Sequence, residues 1–172
     1  HAKQKEFYVD VSSAQSDAVD WDKVLEPYRN GVFEILKQTY RDGQFGGTYW
    51  LVERESLPNG QWRYWGITNA HVVDKEDVQE LFFKARGVVD GVRTEFPLKL
   101  IGADHSFDIA VLSFDSDLDL QTLTVRESAD IKLGDPIAII GNQRLGGLVD
   151  LPGNINSCLL YTSDAADELL GV

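Results

Sequence analysis

Between Val32 and Asn142 the chain keeps repeating one unit. Each is a short run, roughly four to nine residues, of β-branched, aromatic and aliphatic side chains, closed by Gly, Pro, Asn or Asp. Val32 to Tyr40 is the first such run, and Asp42-Gly43 separates it from a partner over Phe45 to Glu53. Pro58-Asn59-Gly60 marks a further turn, and "QWRYWGITN" follows it. "VQELFFKAR", "EFPLKLIGA", "DIAVLSF" and "DPIAIIGN" continue the rhythm. This rhythm of short segments and turn residues predicts an all-β barrel or sandwich rather than alternating βα units.

Outside this region the pattern changes. Residues 1–31 form a polar segment with one helical stretch, where Trp21, Val24, Leu25 and Tyr28 share a face and Asp20 is placed to cap it. Residues 32–150 carry the β pattern, and 151–172 read as a tail outside it. No internal repeat or low-complexity linker is present.

Charge narrows the function. With 16 basic against 28 acidic side chains the net charge is −12, the wrong sign for a surface that grips phosphates, so no nucleic-acid partner is expected. No apolar run is long enough to span a bilayer. The lone cysteine, Cys158, offers neither a disulfide framework nor a thiolate zinc site. A chain that starts at His1 and lacks methionine is expected to be a processed product or a fragment.

Among His1, His71 and His105, position singles out His71. In "WGITNAHVVD" it stands where an apolar strand breaks into a turn, beside the small Ala70. A core histidine bonded to a backbone carbonyl is the structural alternative. A base at this place needs a carboxylate on its second nitrogen, and "GADHSFDIAVLSF" offers Asp104 and Asp108. Asp108 directly precedes the apolar strand, which anchors its backbone, whereas Asp104 reads as an exposed turn residue. A metal reading of "DHSFD" lacks a third and fourth ligand nearby.

"GITNAHVV", then "FDIAVL", then "IKLGDPIAIIGN" resembles the trypsin-like serine proteases of the HtrA/Do (Deg) group over roughly residues 32 to 147. The first motif is similar to that family's catalytic-histidine signature, the second to its catalytic-aspartate signature, and the third to the segment entering the second barrel. The resemblance implies a double β-barrel fold of which this chain holds the first barrel, truncated before the second. It implies His71 as general base and Asp108 as its orienter, polypeptide substrates, and no metal or cofactor. An extracytoplasmic or periplasmic setting fits the same family. Oligomeric state is not implied.

Two positions depart from the family. "GGTYW" puts Tyr49 where a second glycine is expected, and "GNQRLGG" lacks the usual proline after Gly-Asn. The nucleophile motif Gly-Asn-Ser-Gly-Gly is absent, and Ser113, Ser116, Ser128 and Ser157 lack flanking glycines. As structure, Ser163 would cap a short helix over 164–170. As a string, "CLLYTSDAADE" (158–168) resembles a translated sequencing adapter, so the tail is expected to be non-native or unstructured and the serine lost by truncation. The alternative to a peptidase fragment is a catalytically inactive, protease-like binding module. A metal-dependent hydrolase using His71 or His105 is a third.

Overall fold

The computed structural model describes residues 19–39, 44–74, 81–142 and 148–154. Six strands close into one antiparallel barrel: β1 (Val32–Thr39), β2 (Gln44–Ser56), β3 (Trp62–Thr68), β4 (Leu81–Val89), β5 (Val92–Asp104) and β6 (Ile109–Ser116). Around the barrel the order is β1-β2-β3-β6-β5-β4, with β1 bonded to β4 to complete the ring. The expectation of an all-β fold holds, and the form is a barrel.

Closure follows from alternation and bending. Phe33 and Ile35 of β1, Tyr64 of β3, Phe83 and Ala85 of β4, and Ala110, Leu112 and Phe114 of β6 all point inward and are buried. Their rings form a column: Tyr64 stacks on Phe114 at 5.2 Å, Phe114 on Phe96 at 4.5 Å, and Phe96 meets Phe33 edge-on at 5.6 Å. β2 and β5, the two longest strands, each carry a register shift, between Leu51 and Glu53 and between Leu100 and Gly102. Such bulges let a long strand turn a barrel corner. Gly87 is needed because a Cβ there would stand 2.6 Å from Phe33 Cδ1. The β4–β5 hairpin turns through Asp90 and Gly91, both at positive φ (49° and 80°), which suits the twist of a two-residue turn.

The N-terminal stretch differs from the expected single helix. Asp20 does cap it, its carboxylate accepting from Lys23 N at 3.2 Å, but α1 spans only Trp21–Leu25. A 3-10 turn, Glu26–Gly31, replaces the rest. Pro27 is the reason: it has no N–H to extend the α ladder, and its ring crowds the preceding turn.

After β6 the chain returns along the barrel. The Tyr64 hydroxyl donates to Leu118 O at 2.6 Å and accepts from Leu120 N at 2.9 Å, and Leu123 N donates to Leu51 O at 2.8 Å. Beyond a short 3-10 turn, β7 (Pro136–Asn142) and β8 (Leu148–Asn154) pair as an antiparallel ribbon, with β7 packed across β1 and β2. β8 thus runs through Asn154, past the boundary at 151 expected for the tail. The Asp42-Gly43 turn, the "QRLGG" segment, the Ser163-capped helix and the string 158–168 lie outside the described residues. Among the described residues no helix is long and apolar enough to cross a membrane.

Candidate active site

His71 is presented by the way β3 ends. Thr68 closes the strand, its hydroxyl donating to Thr48 O at 2.7 Å, and Asn69 continues extended at φ −75° and ψ 144°. Ala70–Val73 then coil into one 3-10 turn. Ala70 and Val73 are buried at 0% and 3% exposure, so the turn is seated by its two apolar side chains and His71 is left facing outward. Gly47 makes room for this turn, since a Cβ there would meet Val72 Cγ2 at 3.0 Å.

Asp108 arrives from the opposite side. Its φ is +54°, the left-handed region, which Asp tolerates better than most residues but which still costs about 1–3 kcal/mol. That backbone angle ends the strand pattern: β6 begins at Ile109, and Asp108 is turned out of it toward the 3-10 turn. One carboxylate oxygen, Oδ1, accepts from the His71 backbone N–H at 2.9 Å. The other, Oδ2, lies 2.7 Å from His71 Nδ1. A carboxylate only accepts, so Nδ1 carries the proton and Nε2 is the basic nitrogen.

A third residue completes the cluster. Asn69 Nδ2 donates to Asp108 Oδ2 at 3.2 Å and to Asp108 O at 3.3 Å, gripping side chain and backbone of one residue. Sequence reasoning did not assign Asn69. Nothing local marks it, because the acidic residue that its amide serves lies 39 residues further along the chain.

The other candidates fall elsewhere. Asp104 Oδ1 accepts from Ser106 Oγ at 2.5 Å, Ser106 N at 2.9 Å and Phe107 N at 3.2 Å, so it braces its own turn and makes none of the contacts to His71. The Ser106 hydroxyl first, then the Phe107 amide, hold its carboxyl below the usual carboxylate range. His105 Nδ1 stands 3.4 Å from Asp74 Oδ1. Ser113 and Ser116 lie within β6, opposite Trp65 and Trp62, and both are buried. Among the described residues no group of three or more His, Cys, Asp or Glu is placed to hold a metal.

Tyr49, the departure in "GGTYW", is accommodated inside the barrel. It is fully buried, and its hydroxyl donates to Leu112 O at 2.9 Å. Its ring lies against Gly66 of β3, whose partner in the register is Leu51.

A closed antiparallel barrel with a histidine turn after the third strand and an aspartate before the sixth is the frame of a trypsin-like peptidase. The chain belongs to that family: residues 47–166 match the trypsin-like peptidase domain. Within it the likeness is to HtrA-type proteins. A probable periplasmic serine endoprotease DegP-like from Halomonas elongata is 42% identical over 76 residues, covering 44% of this chain and 14% of that protein. A serine protease HtrA-like from Staphylococcus aureus is 32% identical over 95 residues, covering 55% of this chain and 11% of that protein. The solved structure of the HtrA-type protease AlgW with tripeptide superposes with a TM-score of 0.62 at 20% identity, over 81% of this chain and 40% of that one. The chain thus spans well under half the length of the proteins it matches.

Proposed function

We propose that this chain is the first barrel of a serine endopeptidase, with His71 as general base and Asp108 as the carboxylate that orients it. One observation carries the proposal: Asp108 holds His71 at two points, backbone N–H and ring Nδ1, with one oxygen for each. That grip fixes ring and tautomer together, which a base must have before it can take a hydroxyl proton. In the reaction Nε2 removes the proton from a serine hydroxyl as its oxygen attacks the peptide carbonyl. The imidazolium, stabilised by Asp108, then returns the proton to the leaving amine. Water hydrolyses the acyl-enzyme by the same route. Substrates are polypeptides.

On this reading the serine lies outside these 172 residues, which contain no Gly-Asn-Ser-Gly-Gly. The oxyanion hole goes with that motif, so the chain alone does not hydrolyse peptides. That same absence favours the second reading, an inactive protease-like binding module. Sequencing the source gene past the codon for Ser157 separates the two. A serine in that motif, with casein cleavage lost in His71→Ala, supports the peptidase. Another residue at that position overturns it.

A further inference from the structure

A second histidine–aspartate contact lies beside the first. Asp74 follows His71 by three residues, and His105 precedes Asp108 by three. His105 Nδ1 and Asp74 Oδ1 are 3.4 Å apart. The segment that carries His71 and the turn that carries Asp108 are therefore joined twice, with the same spacing on either side.

Both ends of this second contact are anchored. The backbone carbonyl of Asp74 accepts from Lys37 Nζ at 2.7 Å, and Lys37 itself is buried in β1 with 7% exposure. On the other side, Asp104 locks the turn around His105 through its three hydrogen bonds to Ser106 and Phe107. A line of contacts thus runs from the barrel wall through Asp74 and His105 into the turn that ends at Asp108. His71 needs such support: its side chain is 59% exposed, so packing does little to hold the ring.

We propose that the His105–Asp74 contact is a clasp that positions the His71–Asp108 pair by fixing the 3-10 turn against the β5–β6 turn. The proposal rests on the reading of His71 as a base oriented by Asp108. Asp74 and His105 are positioning residues and act through that pair. His105 is exposed and Asp74 half-buried, and an ion pair this open to solvent contributes little to stability. Its effect is on geometry, where a displacement of about 1 Å costs roughly a hundredfold in rate. The clasp does not require a charged imidazole, because a neutral ring with its proton on Nδ1 needs only a small closing of the 3.4 Å separation to donate to Asp74.

The test is made on the 172-residue chain by nitrogen–proton multiple-bond NMR, which reports the tautomer of each neutral histidine. Spectra are recorded at a pH of about 8.5, above the ordinary imidazole range. In the unsubstituted chain His71 is expected in its Nδ1–H form. In Asp74→Ala and His105→Ala the Nε2–H form of His71 is expected to become the larger share, with circular dichroism and Tm unchanged. Asp74→Leu serves if Asp74→Ala fails to fold, because it keeps much of the residue's shape and offers His105 no acceptor. His105→Asn, whose amide nitrogen stands where Nδ1 stood, is expected to restore the Nδ1–H form. An unchanged His71 tautomer in His105→Ala and in Asp74→Ala, or Asp74→Leu in its place, overturns the clasp and leaves the His71–Asp108 pair intact. An Nε2–H form already dominant in the unsubstituted chain overturns the pair itself, and the clasp with it.

Discussion

The ring of Tyr49 occupies the space in which Gly66 would carry a side chain: a Cβ on Gly66 would stand 2.3 Å from Tyr49 Cζ and 2.7 Å from its hydroxyl oxygen. Tyr49 is fully buried and rigidly held by its bond to Leu112 O, so it has no room to retreat. Gly66→Ala is therefore expected to destabilise the chain by about 2–3 kcal/mol, the scale of overpacking in a closed core. Combining it with Tyr49→Leu should return part of that loss, since the two changes share one space. Urea unfolding of the two single variants and the double variant measures the coupling. Additive losses would show that the contact is not the cause.

Tyr49 also makes the barrel sensitive to alkali. Burial raises its phenol well above the usual tyrosine range, with a Gly66 backbone contact working more weakly the other way. An unfolded tyrosine loses its proton near pH ~10, while the folded Tyr49 keeps its own. Above that pH the folded state holds the extra proton, so the contribution is complete below pH ~10 and is lost as pH rises toward the folded value. The loss is about 1.4 kcal/mol per pH unit. Tyr49→Phe should flatten the decline of unfolding free energy above pH ~10 by about this slope, relative to the unsubstituted chain. Its cost at neutral pH is about 1 kcal/mol for the hydrogen bond to Leu112 O. Equal slopes for the two chains would place the alkaline sensitivity elsewhere.

Glu34 is a buried acidic residue of β1, between the inward-facing Phe33 and Ile35 and so on the outer face of the barrel. It is 7% exposed and opposite Arg86, whose Nε donates to Glu34 Oε2 at 2.7 Å. The other oxygen, Oε1, has no hydrogen-bond partner among the described residues. Arg86→Ala would leave this carboxylate buried without its counter-ion, at an expected cost of about 3–5 kcal/mol. Replacing both, Glu34→Leu with Arg86→Met, is expected to be neutral or stabilising, because desolvation of the pair is removed together with its attraction. Equilibrium unfolding of both variants checks the contrast, and a double variant weaker than Arg86→Ala would contradict it.

What could be read in advance follows the range of the physics. β3 and β6 were legible because burial on alternate residues and turn chemistry are local properties of the chain. So was Asp20 as a cap. The pairing of His71 with Asp108 rather than Asp104 was expected from the anchor that β6 provides, and the geometry places His71 against Asp108. The left-handed angle that turns Asp108 out of β6 has no such local mark. Pro27 carries a local signal against a continuous helix through Tyr28, one that the shared face of Trp21, Val24, Leu25 and Tyr28 does not register. Tyr49 stood out as a departure, yet its compensation at Gly66 is a contact across strands and leaves no trace in sequence spacing. The same holds for the Glu34–Arg86 pair and for Lys37 reaching Asp74.

Asp108 makes two demands on one position, and a single substitution separates them. Its backbone needs a residue that accepts φ +54°, and its side chain needs two acceptor oxygens for His71 N–H and Nδ1–H. Asparagine meets the first demand, because Asn is among the residues that enter the left-handed region most readily. It fails the second, since one of its two terminal atoms is a donor. Asp108→Asn should therefore leave the fold within about 1 kcal/mol of the original. The His71 ring should lose its fixed tautomer. In a complete peptidase carrying the serine, a carboxylate-to-amide change of this kind lowers kcat by about 10⁴-fold. In the 172-residue chain the readout is structural: unchanged circular dichroism and unfolding midpoint, with the His71 tautomer shifted toward Nε2–H. Fluorophosphonate should label neither the unsubstituted chain nor the variant. Labelling of the unsubstituted chain that disappears in Asp108→Asn would mean that a serine within these residues is activated after all, and the assignment of the nucleophile to further sequence would have to be abandoned.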